Sequence, residues 1–488
     1  MNRKLFTCLI IFLPLYSVAQ SIDQKQEYEA FKRQAIAKYV DFRSKANAEY
    51  AEFVKKAWKQ FKVQPAIPKP KDETTPPVTV PKEDRNDERI DDRNVPIKDV
   101  VTTPEPEPQP VPVSPIRGNR GEADRYVTFS YCGTECKVRF RNDTRLRLAG
   151  CSNDCLSEAW TELSKDDYNN TIRDCLELRE KMQLSDWAYL NMLNAFAEKC
   201  MGKGNEALML TAFIYGQSGY KMRIGRVDGR ICLLFSSRHG IYDLPYFNVD
   251  GEKFYQFNSK TAQMEICTAA YPNEKPLSLF ITQPQLFAYA PTQLRTLTEE
   301  SQNRISVKVQ VNKNLLDFYS SYPSSEIDGN FMTRWAIYAN TPMSYGVKEE
   351  LYSSLKRQIS GLGQLESVNK LLNWVQTAFK YEYDDKVWGH DRAFFAEETL
   401  YYPYCDCEDR AILFTRLVRD LLGLKCILVY YPGHLAAAVC FTDEVKGDYI
   451  LFEGNRYVIA DPTYIGAPVG KTMPNMNNMT ADVILLDN

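Results

Sequence analysis

Residues 406–415 read Asp406-Cys407-Glu408-Asp409-Arg410-Ala411-Ile412-Leu413-Phe414-Thr415. A cysteine and two acids lead into an apolar run that ends at Leu422 and Gly423, which predicts a helix with the thiol at its start. A second stretch of the chain shares this framework without the cysteine. Gly204 to Thr211 lies against Glu408 to Thr415, and Gly219-Tyr220-Lys221-Met222 against Gly423-Leu424-Lys425-Cys426, all at an offset of 204. Further on, Asp250-Gly251-Glu252-Lys253-Phe254 matches Glu453-Gly454-Asn455-Arg456-Tyr457 at an offset of 203. A fixed offset across a helix, a turn and two strands reads as an internal duplication.

The duplication separates framework from chemistry. Cys407 faces Lys203, His434 faces Arg230 and Asp461 faces Asn258, so the first copy lacks all three reactive residues while keeping the apolar pattern. The stretch Tyr381 to Asp406 has little counterpart in the first copy. The second copy reads as helix, strand, strand around its site. His434 follows Tyr431-Pro432-Gly433 and opens an apolar strand. Asp461 ends the strand Tyr457 to Ala460 before Pro462-Thr463. A thiol at a helix start is expected to have a lowered pKa, because backbone N–H groups and the helix dipole favour thiolate. With an imidazole to move the proton and a carboxylate to orient it, the set suits acyl transfer. Taken singly, each has a plain structural reading: a buried thiol, a surface histidine, a turn aspartate.

The three motifs together, Asp406-Cys407-Glu408-Asp409-Arg410-Ala411, Pro432-Gly433-His434-Leu435-Ala436 and Ala460-Asp461-Pro462-Thr463-Tyr464, resemble the transglutaminase-like superfamily. The resemblance implies a papain-like α+β fold and a Cys-His-Asp triad of Cys407, His434 and Asp461, without a cofactor. It covers residues 300–470 well, and 125–260 only through the duplication. Cys405 stands where the family usually has glycine. The family includes transglutaminases, cysteine peptidases and amidases, so it implies a peptide or protein substrate without naming one. Trp388 and Tyr404 are candidates for a second oxyanion donor. His390 reads as a loop residue, and Glu408 and Asp409 as acids that suit the helix dipole.

The rest of the chain sets the context. Its 488 residues allow two or three domains, and a net charge of −3 gives no reason to expect nucleic acid. Asn2-Arg3-Lys4, the apolar run Leu5 to Tyr16 and Ser17-Val18-Ala19 read as a signal peptide, residues 1–19, of an exported (periplasmic or secreted) protein. The run is too short to span a membrane. Of the 13 cysteines, Cys8 leaves with the signal. Cys132-x3-Cys136 and Cys151-x3-Cys155 suit disulfides or buried thiols better than zinc, since no histidine lies near them. Cys426 and Cys440 read as core thiols.

Residues 20–62 form the next segment. Tyr-x2-Phe-x3-Ala recurs there every eleven residues, at Tyr28, Tyr39 and Tyr50, and ends on Phe61. That period keeps an aromatic stripe straight along one helix, suited to a homo-oligomer or a partner protein rather than a lipid surface. Residues 63–117 hold half of the 26 prolines and read as a disordered, semi-rigid spacer. The expected globular units are 118–300, the degenerate copy, and 301–488, the catalytic one.

Overall fold

The computed structural model describes residues 62–67, 92–112, 116, 125–140, 146–165, 168–242, 244–270, 273–299, 305–476 and 479–487. The signal segment and the repeat helix of residues 28–61 lie outside the described residues. What is described is an α+β fold built on two large sheets.

Three short strands come first: β1 (Lys62–Pro65), β2 (Arg93–Asn94) and β3 (Ile97–Val101). A hairpin follows, β4 (Arg125–Tyr131) and β5 (Thr134–Phe140). The first half continues with helices α1 (Asp186–Met201) and α2 (Asn205–Gln217) and strands β6 (Met222–Val227), β7 (Arg230–Ser236), β8 (His239–Ile241), β9 (Tyr246–Val249), β10 (Glu252–Phe257) and β11 (Gln263–Cys267). A second hairpin, β12 (Arg295–Thr298) with β13 (Ser306–Val309), leads to β14 (Ser325–Ile327) and helix α3 (Gln364–Ala378). The second half then adds β15 (Lys380–Tyr381), β16 (Tyr404–Cys405) and helix α4 (Cys407–Leu422). It closes with β17 (Cys426–Tyr431), β18 (His434–Cys440), β19 (Asp448–Phe452), β20 (Asn455–Ala460) and β21 (Ala481–Leu485).

The two sheets repeat one another. One runs β9-β10-β7-β6-β11-β1 and the other β19-β20-β18-β17-β21-β3, with β2 added beside β19. The registers match as well. Met222 pairs with Phe235 as Cys426 pairs with Val439, and Leu233 with Phe257 as Ala437 with Ala460. Val249 opposes Glu252 as Phe452 opposes Asn455. Each tight turn between these last strands is a positive-φ pair, Asp250-Gly251 in one and Glu453-Gly454 in the other, the backbone that a two-residue hairpin requires. The helices before the sheets differ slightly: α4 starts two residues earlier than the offset from α2 would place it, and that extra start is where Cys407 sits.

Two sequence expectations need correction. First, residues 63–117 are not wholly a free spacer. β1 pairs antiparallel with β11, β3 pairs parallel with β21, and β2 pairs with β19. Val95 and Val101 are buried. Few apolar residues are needed for this, because a sheet edge supplies unpaired backbone groups that any extended segment can bond, and proline is tolerated at a strand end. Residues 102–112 run without regular structure, held where Arg179 Nη1 donates to the Pro110 carbonyl and Gln109 Nε2 to that of Leu184.

Second, the boundary at 300/301 falls between β12 and β13, two paired strands of one hairpin. β14 of the second half also pairs with β8 of the first. One apolar cluster contains residues of both halves, from Trp160 and Phe213 to Trp374 and Leu413. The outer faces have smaller clusters of their own, Ile427, Val429 and Ala436 on one sheet and Leu234, Phe247 and Phe254 on the other. The sheets are thus buried on both faces, which explains strands that read as continuous apolar runs.

Candidate active site

Cys407 is the first residue of α4. Asp406 caps the helix: its Oδ1 accepts from the N–H groups of Glu408 (3.1 Å) and Asp409 (3.5 Å), while Asp409 Oδ2 accepts from the Asp406 N–H at 3.2 Å. This reciprocal box fixes the helix start and so the thiol's origin. Gly423 at φ +66° ends the helix in the left-handed conformation that glycine adopts without strain.

His434 opens β18 directly after a turn in which Gly433 has φ +83°. Its Nε2 lies 2.7 Å from Asp461 Oδ2. Asp461 follows β20 and is itself held by its turn, Oδ1 accepting from Thr463 N–H at 2.8 Å and Tyr464 N–H at 3.3 Å. A carboxylate only accepts, so Nε2 donates to it and leaves Nδ1 as the ring's other nitrogen. That Nδ1 is buried and has no hydrogen-bond partner. α4 packs against β18, and the N–H of Leu435, the residue after His434, is near enough to the Cys407 sulfur to favour its thiolate. His434 and Asp461 are thus in direct contact, Cys407 starts the helix that packs on β18, and all three are buried.

The thiol's titration differs from the sequence expectation. Burial pushes the Cys407 thiol well up, and Asp406 and Glu408 add to it, against the single lowering contact from Leu435. Helix-start donors do not offset a site closed to water with carboxyls on either side. Burial therefore favours the neutral thiol at Cys407.

Several residues that hold the site were missed in the sequence. Gln376 of α3 donates from Nε2 to the carbonyls of Asp461 and Ala467, both at 3.0 Å, and accepts the Gly466 N–H. Arg410 is buried and ties α3 to the loop after Asp461, with Nη1 on the Gln376 and Pro462 carbonyls and Nη2 on that of Phe379. Its signal was visible: a charged residue on the otherwise apolar side of a helix. The Gln376 contacts carry no local signature.

The two acids after Cys407 do more than suit the dipole. Asp409 also accepts the Phe394 N–H at 2.9 Å. Glu408 turns into a buried acidic group, where its oxygen and those of Asp384 and Asp391 lie within 4.8 Å of one another. Arg334 Nη2 sits 2.7 Å from Asp391 and 3.7 Å from Glu408. Burial raises the carboxyls of Asp384, to about 7, and of Asp406, Glu408 and Asp409. These three oxygen ligands could hold a divalent cation, in competition with the arginine already there. Among the described residues no cysteine joins such a group, and the described cysteines form no disulfide.

The remaining candidates separate. His390 is an exposed loop residue with Nδ1 3.0 Å from the Trp388 carbonyl. Trp388 packs on Phe394 and Tyr402 under the Arg392 guanidinium, and Tyr404 is exposed. In the first copy, Lys203, Arg230 and Asn258 are all exposed. There Asn205 instead ties the helix start to the β6–β7 turn, bonding the Gly229 carbonyl and the Ile231 N–H.

No helix among the described residues is long and apolar enough to cross a membrane. Comparison with family models, with curated proteins and with solved structures finds no match for this chain in any of the three.

Proposed function

We propose that this chain is an exported cysteine hydrolase or acyltransferase of transglutaminase-like fold, acting on peptide or amide bonds through a thioester at Cys407. The observation that carries this is the buried Nδ1 of His434, which has no hydrogen-bond partner while the other nitrogen is fixed by Asp461. Because burial favours the neutral thiol, its proton moves to Nδ1 as sulfur attacks the acyl carbon. Asp461 holds the ring and stabilises the imidazolium. The tetrahedral intermediate collapses as Nδ1 returns the proton to the leaving amine. Water then attacks the thioester in a hydrolase, or a second amine in an acyltransferase. The repeat helix of residues 28–61 would anchor this unit to a second copy or a partner protein.

A non-catalytic scaffold is the second reading, favoured by one observation: Cys407 and His434 are both fully buried, at 0% exposure. The two readings part on p-nitrophenyl acetate. An enzyme gives a burst of one p-nitrophenol per chain, with acetyl found on Cys407 by mass spectrometry. Absence of both burst and label in the wild type would leave the scaffold.

A further inference from the structure

Tyr381 stands beside the strand that leads into Cys407, and nothing in its local pattern singles it out. β15 pairs in parallel with β16, placing Tyr381 opposite Cys405, two residues before the nucleophile. The phenol lies close enough to Cys407 and Asp406 for both to resist its ionisation, after burial itself. Its ring is held by the edge of Tyr383 at 5.6 Å and by the Arg410 guanidinium 5.4 Å from its centroid. Its hydroxyl is buried and has no hydrogen-bond partner.

A buried hydroxyl with no acceptor is disfavoured, so one kept beside a nucleophile points to an acceptor that arrives with the substrate. Resting on the acyl-transfer reading, we infer that Tyr381 is a catalytic residue whose hydroxyl donates to the oxyanion formed when Cys407 attacks a carbonyl. The backbone N–H of Cys407, one of the helix-start donors with no intrahelical acceptor, supplies the companion bond. The phenol stays protonated across the working range because burial pushes its ionisation far up, so it acts as a donor and not as a base. Neither Trp388 nor Tyr404 has this combination of a buried, unbonded donor and proximity to the sulfur.

The test uses two reactions of the same thiol. Acylation by p-nitrophenyl acetate passes through an oxyanion; alkylation by iodoacetamide does not. Tyr381→Phe should slow the acylation burst about 100-fold and leave the alkylation rate of Cys407 and the melting temperature unchanged. Equal acylation in variant and wild type overturns the inference and leaves the acyl-transfer reading standing. Equal slowing of both reactions also overturns it, since the hydroxyl would then be tuning the thiol. If the phenylalanine variant melts early, fluorotyrosine at position 381 keeps the ring and makes a stronger donor. Acylation must then change while alkylation does not, and an unchanged burst overturns the inference. A wild type that alkylates at Cys407 but never acylates sinks the inference and the reading together.

Discussion

At the scale of single residues the site depends on which nitrogen of His434 donates. Asp461 decides this by accepting from Nε2, and its own turn decides where Asp461 points. Asp461→Asn can present an N–H to Nε2 and so favour the other tautomer, leaving Nδ1 protonated. The p-nitrophenyl acetate burst should slow by roughly 1,000-fold or more, with the circular dichroism spectrum unchanged. Kinetics equal to wild type would reduce Asp461 to a turn residue. The raised thiol makes a separate prediction. Alkylation of Cys407 should climb with pH beyond 9, the ordinary thiol value, without a plateau near neutrality. A plateau near pH 6 in the iodoacetamide rate would mean a preformed thiolate–imidazolium pair, contrary to the burial seen here.

At the scale of elements, the β8–β14 pair joins the two halves, and His239 stands on it. Its Nε2 accepts the Leu279 N–H, its Nδ1 faces Ser325 Oγ at 3.4 Å, and burial lowers its pKa from 6.5 to about 4. The folded state therefore holds a neutral ring that the unfolded chain protonates near 6.5. Its stabilising contribution is fully present above pH 6.5 and is lost as the pH falls through that value toward 4, at most about 3 kcal/mol. Thermal melts at pH 7 and pH 4.5 should show a larger loss for the wild type than for His239→Asn. Equal losses would place the acid sensitivity elsewhere.

The strand pairs show how far the sequence pattern could be read. The offset of 204 residues aligned β6 with β17 and β7 with β18 end to end, because alternation and turn glycines are local properties of each copy. β1, β2 and β3 had no such signature. They are short and partly charged, and they are bonded through their backbones to strands far away in the chain.

At the scale of the whole molecule, those edge strands make residues 62–67 and 92–112 part of the fold. A chain starting at Gly118 loses three edges and the burial of Val95 and Val101, on the order of 3–6 kcal/mol from the two valines. It should melt well below a chain starting at Lys62, and its sheet amides should exchange faster with solvent. Equal melting temperatures would show that the edges contribute nothing. The comparison of a chain starting at Lys62 with the full chain, by sedimentation, is then the clean test of residues 28–61 as an anchor. An unchanged mass would refute that role.

The sequence by itself determined what is written in short patterns: two copies of one framework, the helix, turn and strand ends that carry Cys407, His434 and Asp461, and the loss of all three in the first copy. Only the tertiary structure decided the properties that depend on distant parts of the chain. It merged the two halves into one core, recruited the proline-rich segment to the sheet edges, and brought Asp384, Asp391 and Arg334 to Glu408. It also paired Tyr381 with Cys405, two residues before the thiol, and pushed the thiol's pKa up where the helix start alone argued for lowering it. The physical reason is the same in each case. Desolvation and backbone pairing are collective: they depend on what else is packed around a group, and no window of sequence around Cys407 contains its neighbours.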